Sequence, residues 1–290
     1  MKEIVVISGK GGTGKTSLSA SFAYLEGQNT IVADCDVDAA NLHILLKADF
    51  KKQEDFYAGE VAYIDEKNCI NCGICATTCR FDAINFDGDK YIVDAISCEG
   101  CWYCSRVCPR DAIEMQKQKT GDFFISTTKT DTNLVHAKLG FGAENSGKLV
   151  AKVKNEAKKL ALAEKKEYLI VDGSPGIGCP VVSSLSGANL CVLVTEASLS
   201  GLHDLKRVYQ VVKTFGIKAV CIINKYDLNE KLTCKIEEYL KSEDIKLVSK
   251  LAYDENFSKA LIQGKSLVEC ENELSDEIKK SWEAVKKEVI

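Results

Sequence analysis

The octet GKGGTGKT, Gly9 to Thr16, stands between two segments of different character. Before it, EIVVIS (Glu3–Ser8) is a continuous apolar run of strand length. After it, SLSASFAYLEG (Ser17–Gly27) has the make-up of a helix closed by Gly27. Strand, glycine-rich loop and helix, in that order, are the context in which the pattern GxxxxGK[ST] binds phosphate. Glycines let consecutive backbone N–H groups turn onto an anion, and the helix N-terminus adds a favourable dipole. The reading assigns Gly9, Gly11, Gly12, Thr13, Gly14, Lys15, Thr16 and Ser17 to a phosphate cradle. Lys15 is expected on the β- and γ-phosphates and the Thr16 hydroxyl on Mg2+.

Working outward, TIVAD (Thr30–Asp34) reads as a second buried strand, and YLIVDG at Tyr168, LCVLVTE at Leu190, AVCIIN at Ala219 and KLVSKL at Lys246 as later ones. Helical stretches lie between them, such as Gly147–Lys166 with Val153, Ala157 and Leu160 on one face. Continuous apolar strands alternating with helices predict an α/β fold with a parallel sheet.

The chain of 290 residues is 46% hydrophobic with three prolines, enough for a sizeable core. Its formal charge of −4 gives no basic footprint for nucleic acid. Met1-Lys2-Glu3 runs straight into the apolar strand without a leader pattern, and runs such as LCVLV are too short to span a bilayer. A soluble, cytoplasmic protein is the expectation. Fourteen cysteines then stand out. In a reducing compartment they point to metal or redox chemistry in preference to disulfides.

The α/β pattern breaks from about Phe56 to Lys119, and this segment repeats itself. One constant offset carries Cys69, Cys72, Cys75 and Cys79 onto Cys98, Cys101, Cys104 and Cys108. The same offset carries Asp82-Ala83-Ile84 onto Asp111-Ala112-Ile113. Two copies of one unit, joined at the turn signal Asp87-Gly88, predict a small two-fold module. It is expected over 55–119, inserted in a larger domain of 1–54 and 120–290, with the charged run Lys47–Asp55 as its entry linker.

The extra lysine of GKGGTGKT, together with DCDVDAANL (Asp34–Leu42), resembles the deviant Walker A region of the MinD/Mrp-type P-loop ATPases. The resemblance covers the chain outside the insert. It implies a P-loop ATPase fold and a homodimer that closes on ATP, with Lys10 reaching the partner's phosphates. It also implies that Asp36 orients the attacking water, a catalytic role shared with Lys10 and Lys15, and that Asp34 lies near Mg2+. YLIVDGSPGIG resembles the Walker B and switch II segments of the same family, which puts Asp172 in the metal's surroundings and lets Gly173 and Gly176 move. NKYD (Asn224–Asp227) spells the guanine-reading motif of GTPases, but sits where MinD-type ATPases place an adenine-contacting Asn. ATP is the expectation, with Asn224 touching the base. Asp227 also reads as a helix N-cap, with Glu230 three residues on.

Each half of the insert is C-x2-C-x2-C-x3-C, and the segment resembles a bacterial two-cluster ferredoxin, which implies a small α+β fold for it. That resemblance implies that Cys69, Cys72, Cys75 and Cys108 hold one 4Fe–4S cluster and Cys98, Cys101, Cys104 and Cys79 the other. Zinc is the rival, but structural zinc sites usually pair two C-x2-C knuckles across a longer spacer. Arg80 stands where proline often follows the fourth cysteine, and Trp102 and Tyr103 are candidates to shield the cluster bound by Cys79. Cys191 and Cys221 read as core residues. Cys179, just after switch II, is a candidate for a metal shared across a dimer. His43, His136 and His203 show no ligand spacing.

The two modules together predict ATP-gated, low-potential electron transfer to, or activation of, a partner metalloprotein. The alternative is a Mrp-type carrier of clusters or metal, although the C-x-x-C of those carriers is missing here. A third reading is a MinD-like membrane binder using Leu274, Ile278, Trp282, Val285 and Val289. The lysines around that face are balanced by acids, so membrane binding is not expected.

Overall fold

A computed structural model of the chain describes residues 1–140, 142, 146–270 and 272–289. It divides into two compact units: Met1–Glu54, Phe123–Lys138 and Ser146–Ile290, and Asp55–Asp122 with Leu139–Asn145.

In the first unit, β1 (Lys2–Ile7), β2 (Thr30–Asp34), β8 (Tyr168–Asp172), β9 (Leu190–Glu196), β10 (Lys218–Asn224) and β11 (Lys246–Leu251) are the strands expected from the apolar runs. Among the described residues the sheet order is β11-β10-β9-β1-β8-β2-β7-β6-β3. Here β3 is Asp49–Ile64, β6 Ile113–Thr127 and β7 Asn133–Leu139. The pairs from β11 through β2 to β7 are parallel. Strands covered on both faces bury nearly every residue, and β2 and β8 are buried throughout.

Helices α1 (Lys15–Glu26), α2 (Leu42–Leu45), α5 (Ser146–Ala163), α6 (Cys179–Leu185), α7 (Leu199–Thr214), α8 (Glu230–Ser242), α9 (Asn256–Ile262) and α10 (Glu273–Lys286) complete the first unit. The buried stripe of α5 is Leu149, Val150, Val153, Ala157 and Ala161, in steps of three and four. Leu160, expected on that face, is only half-buried. Lys154 shares the stripe because its ammonium meets the buried carboxylate of Glu3 at 2.7 Å. Helix α10 is capped by Asn272, whose side chain accepts from the Ser275 N–H. Its apolar face packs into the core: Trp282 stacks on Phe22 of α1 with ring centroids 4.7 Å apart.

Lys47–Asp55, expected as a linker, is mostly strand, since β3 starts at Asp49. It lies at the end of the sheet order. An edge strand studded with Lys, Glu and Asp keeps other chains from pairing with it, and so carries no apolar pattern to betray it.

The second unit holds β3 from Asp55, α3 (Ile74–Thr78), β4 (Ile84–Phe86), β5 (Tyr91–Val93), α4 (Tyr103–Val107) and β6 as far as Asp122. Strands β4 and β5 form an antiparallel hairpin. It turns at Asp87-Gly88, with Gly88 at φ +109° and the Asp87 N–H donating to the Lys90 carbonyl at 3.0 Å. The order strand-helix-strand occurs twice. The backbone repeats with it: Asn71, Gly73 and Asp82 have left-handed φ, and so do Gly100, Trp102 and Asp111, their counterparts in the second copy. Ala62, Ile64, Ile84 and Ile113 form this unit's small core, and six of its eight cysteines pack against them.

Candidate functional site

In the first unit, the candidate residues meet at the carboxyl ends of the parallel strands, the usual ligand side of such a sheet. The glycine loop follows β1, Asp34 ends β2, Asp172 ends β8 and Asn224 ends β10. Adjacent strands set Asp34 beside Asp172 in register. The loop closes only with glycine. Gly12 and Gly14 sit at φ +80° and +92°, and a Cβ on Gly9 would stand 2.4 Å from the backbone of Asp204. Gly14 supplies no side-chain cap to α1, which leaves the first-turn N–H groups for an anion.

Lys15 is buried, with its ammonium 2.9 Å from Asp172 and 3.6 Å from Asp36. Burial works against its charge, but Asp172, Asp36 and Asp34 outweigh burial and hold its pKa above the usual lysine value. The Asp172 carboxylate also accepts from Thr16 Oγ1 at 2.7 Å and Ser19 Oγ at 2.8 Å. Asp34 accepts from the backbone N–H groups of Asp36 (3.1 Å) and Leu42 (3.2 Å). Burial, reinforced by Asp172, pushes its pKa up to about 8. Asp36 is likewise raised, by burial first, with Lys15 opposing.

Three carboxyl groups crowd one buried lysine, and the raised pKa of Asp34 and of Asp36 marks a cluster of hard oxygen donors that an added cation would relieve. The Thr16 hydroxyl, Asp34 and Asp172 therefore fit Mg2+. Thr13 Oγ1 is buried without a hydrogen-bond partner among the described residues, as expected of a hydroxyl meant for a ligand. Thr13, Lys15, Thr16, Ser17 and Asp36 line one cleft of about 710 Å3, which also takes in Asn224, Tyr253 and Phe257, while Asp34 and Asp172 are fully buried and do not line it.

Asn224 lines the cleft, yet its amide is engaged by the loop. Its Nδ2 donates to the Thr13 carbonyl at 2.9 Å, and its Oδ1 accepts from the Lys225 N–H at 2.9 Å. Asp227 is not the N-cap of α8: that role belongs to Asn229, which accepts from the Leu232 N–H. Asp227 instead accepts from the Tyr253 N–H at 2.6 Å and so anchors the segment that brings Tyr253 to the cleft. The sequence reading missed this because either acid or amide at the start of DLNE can cap a helix.

Lys10 lies against its own chain. Its ammonium is 2.6 Å from Glu196 Oε1 and donates to Ser200 Oγ at 2.9 Å. Lys225 holds the other Glu196 oxygen at 3.0 Å and donates to the Gly12 carbonyl at 3.1 Å. Burial works to raise the Glu196 pKa, but the hydrogen bonds from Lys10 and Lys225 prevail and keep it below the ordinary glutamate value. The sequence reading passed over Glu196. The only signal was an acid closing a buried strand, as Asp34 and Asp172 also do.

In the second unit, Cys69, Cys72, Cys75 and Cys108 line one cavity, and Cys79, Cys98, Cys101 and Cys104 line another. Each cavity thus draws three cysteines from one copy of the repeat and the fourth from the other copy. The Cys108 sulfur also accepts from the Ala112 N–H at 3.3 Å. Burial raises the thiol pKa of Cys75 and of Cys104, the corresponding residue of each copy, so a thiolate at either position calls for a nearby cation. Among the described residues, no three His, Cys, Asp or Glu converge as they would around a single metal ion. Each cavity offers four soft thiols, the ligand type that a 4Fe–4S cluster takes. Arg80, Trp102 and Tyr103 all line the second cavity, with Trp102 and Tyr103 44% and 53% exposed.

Of the other cysteines, the two expected in the core are there. Cys191 and Cys221 are buried in strands, and burial pushes the Cys35 thiol up to about 12. Cys179 is exposed at the first residue of α6. His136 is buried with its Nε2 2.8 Å from Ser126 Oγ, and its ring stacks on His43. The face Leu274, Ile278, Trp282, Val285 and Val289 is buried in the core, so α10 has no apolar face to give a membrane. No helix among the described residues is long and apolar enough to cross one.

Residues 4–268 match the family model described as the CobQ/CobB/MinD/ParA nucleotide binding domain. The chain is 34% identical over 286 residues to the uncharacterized protein MJ0578 of Methanocaldococcus jannaschii, spanning 98% of this chain and 96% of that protein. A second uncharacterized protein of the same organism, MJ0579, is 30% identical over 267 residues, 85% of this chain and 94% of that one. The septum site-determining protein MinD of Pyrococcus horikoshii, solved with Mg-ADP, shares the fold with a TM-score of 0.60 at 19% identity. That match covers 99% of this chain and 96% of the other. The chain belongs to the CobQ/CobB/MinD/ParA nucleotide-binding family and is a P-loop ATPase.

Proposed function

We propose that the chain is an ATP-driven iron–sulfur protein. Residues 1–54 and 120–290 form its MinD-type ATPase domain, except for 120–122 and 139–145, which group with the second compact unit, and residues 55–119 form an inserted ferredoxin-like module with two 4Fe–4S clusters. Cys69, Cys72, Cys75 and Cys108 hold one cluster, and Cys98, Cys101, Cys104 and Cys79 the other. The observation that carries the reading is the crossed grouping of cysteines around two cavities. Three thiols on one short loop leave a fourth position to fill, and the partner copy supplies it. When bound, the clusters supply one-electron transfer at low potential.

In the ATPase domain, Lys15 and the N–H groups of the loop bind the phosphates, Thr16, Asp34 and Asp172 hold Mg2+, and Asn224 stiffens the loop on the base side. Asp36 orients the attacking water. ATP closes a homodimer in which Lys10 leaves Glu196 for the partner's phosphates. Positioning and charge neutralisation are the whole of what phosphoryl transfer asks of these residues. The nucleotide state then governs delivery of electrons from the module to a partner metalloprotein in the cytoplasm. The short distance in sequence from Asp36 to the insert, only α2 and the start of β3, supports that coupling.

Anaerobic purification with iron and acid-labile sulfide counted per chain tests the reading. About eight of each are expected from two cubanes. A colourless or zinc-bearing preparation overturns it. With an acceptor present, clusters that stay bound while changing redox state on ATP turnover support electron transfer. Clusters that leave intact support the carrier alternative.

A further inference from the structure

The two cysteine sites share one backbone plan but are finished with different side chains. The offset that superposes the two copies carries Gly73 onto Trp102 and Ala62 onto Tyr91. Gly73 and Trp102 both precede a short helix with left-handed φ, +78° and +67°. At the site of Cys69, Cys72, Cys75 and Cys108 the glycine leaves space and Tyr91 fills it: a Cβ on Gly73 would stand 2.6 Å from the Tyr91 hydroxyl. At the other site the bulk is exchanged. The strand position is Ala62, and Trp102 turns its indole N–H to Glu60 Oε2 at 2.7 Å.

The consequence is an asymmetry of access. The site of Cys69, Cys72, Cys75 and Cys108, with Tyr91 in its wall, has about 20 Å3 of free space. The site of Cys79, Cys98, Cys101 and Cys104 opens on a cleft of about 670 Å3 beside Arg80, Phe81 and Trp102.

We propose that the site of Cys79, Cys98, Cys101 and Cys104 is the solvent-side terminal of the module, and that Tyr91 shields the other site. This rests on the reading that each site holds one 4Fe–4S cluster. The shell around a metal controls how solvent reaches it. A cluster in the open site is therefore the one that a small chelator strips first, and the one closest to an external electron acceptor.

The test uses the full chain, reconstituted anaerobically and assayed for iron and sulfide, then exposed to excess EDTA while its visible absorbance is followed. Bleaching is expected in two phases of similar amplitude, with rates differing roughly tenfold or more. Cys101→Ser is expected to remove the fast phase and Cys72→Ser the slow one. Tyr91→Ala is expected to speed the slow phase without changing the iron bound beforehand, and Tyr91→Phe, which keeps the ring, to leave it slow. A single phase in the unaltered chain, loss of the fast phase in Cys72→Ser, or an unchanged slow phase in Tyr91→Ala overturns the proposal. A chain that takes up no iron and sulfide gives nothing to bleach. That distinct result removes the cluster reading, and this inference with it.

Discussion

Lys10 Nζ stands 2.6 Å from Glu196 Oε1 within the same chain. The signature lysine of the loop is thus held in cis by a carboxylate at the end of β9, while Lys225 ties that carboxylate to the Gly12 carbonyl. A lysine that serves a partner's nucleotide must first give up this contact. The pair is 29% and 16% exposed at its side chains, so its strength is closer to a surface ion pair than to a buried one.

Glu196→Gln is therefore expected to free Lys10. An exposed or half-exposed pair is worth about 1 kcal/mol, which corresponds to roughly a fivefold change in an equilibrium. The ATPase rate should rise by about that factor at protein concentrations where dimer formation limits turnover, and converge with the unaltered chain at high concentration. Rate measured against protein concentration checks this. A rate that is raised equally at all concentrations would place Glu196 in the chemistry itself.

Lys15→Ala should act differently. It removes the cation that Asp172, Asp36 and Asp34 surround, and breaking a buried pair typically costs about 3–5 kcal/mol. Turnover should fall below detection and the urea midpoint should drop. The iron bound per chain should remain that of the unaltered protein, since the eight cysteines of the repeat belong to the other compact unit. Lys10→Ala should also abolish turnover, but with an almost unchanged midpoint. Loss of iron in either variant would show that the two units do not load independently.

His136 gives the first unit an acid-side limit. Burial, and to a smaller degree His43, lowers its pKa from 6.5 to about 4. The unfolded chain takes up a proton as pH falls below about 6.5, and the folded chain does so only near 4. Stability is therefore complete above that window and is lost progressively as pH falls through it. The linkage caps the loss at roughly 3 kcal/mol. Urea unfolding at steps across the window should show this slope. His136→Gln, which can keep a hydrogen bond to Ser126, should flatten it.

Much of this site was legible because its chemistry is local in sequence. The loop from Gly9 to Thr16 announces itself, and Asp34 and Asp172 end apolar runs long enough to mark buried strands. The cysteine repeat was readable for a similar reason: its spacing is short, and the second copy verifies the first. What stayed hidden depends on contacts between distant segments. Glu196 and Lys225 gain meaning only when β9 and β10 pair beside the loop, and Tyr253 reaches the cleft because Asp227 anchors its backbone. Strand β3 was missed because an edge position favours charge over pattern. The exchange of bulk between Gly73 with Tyr91 and Trp102 with Ala62 is written in the repeat, but its effect needs the positive φ of both helix starts and the hairpin of β5.

Trp282 decides whether α10 belongs to the fold or to a membrane. Its ring stacks on Phe22, its indole N–H donates to Glu26 Oε1 at 2.6 Å, and it is 1% exposed. An amphipathic helix used for membrane attachment keeps such a residue outside, whereas this one fills the space between α10 and α1. Trp282→Ala should then lower stability by about 3–5 kcal/mol through the lost packing and the cavity left behind. The same variant should change nothing in liposome co-sedimentation, because the unaltered chain is expected to stay in the supernatant with anionic vesicles. Pelleting of the unaltered chain, abolished by Trp282→Ala, would mean that α10 leaves the core to bind lipid, and would reverse the assignment.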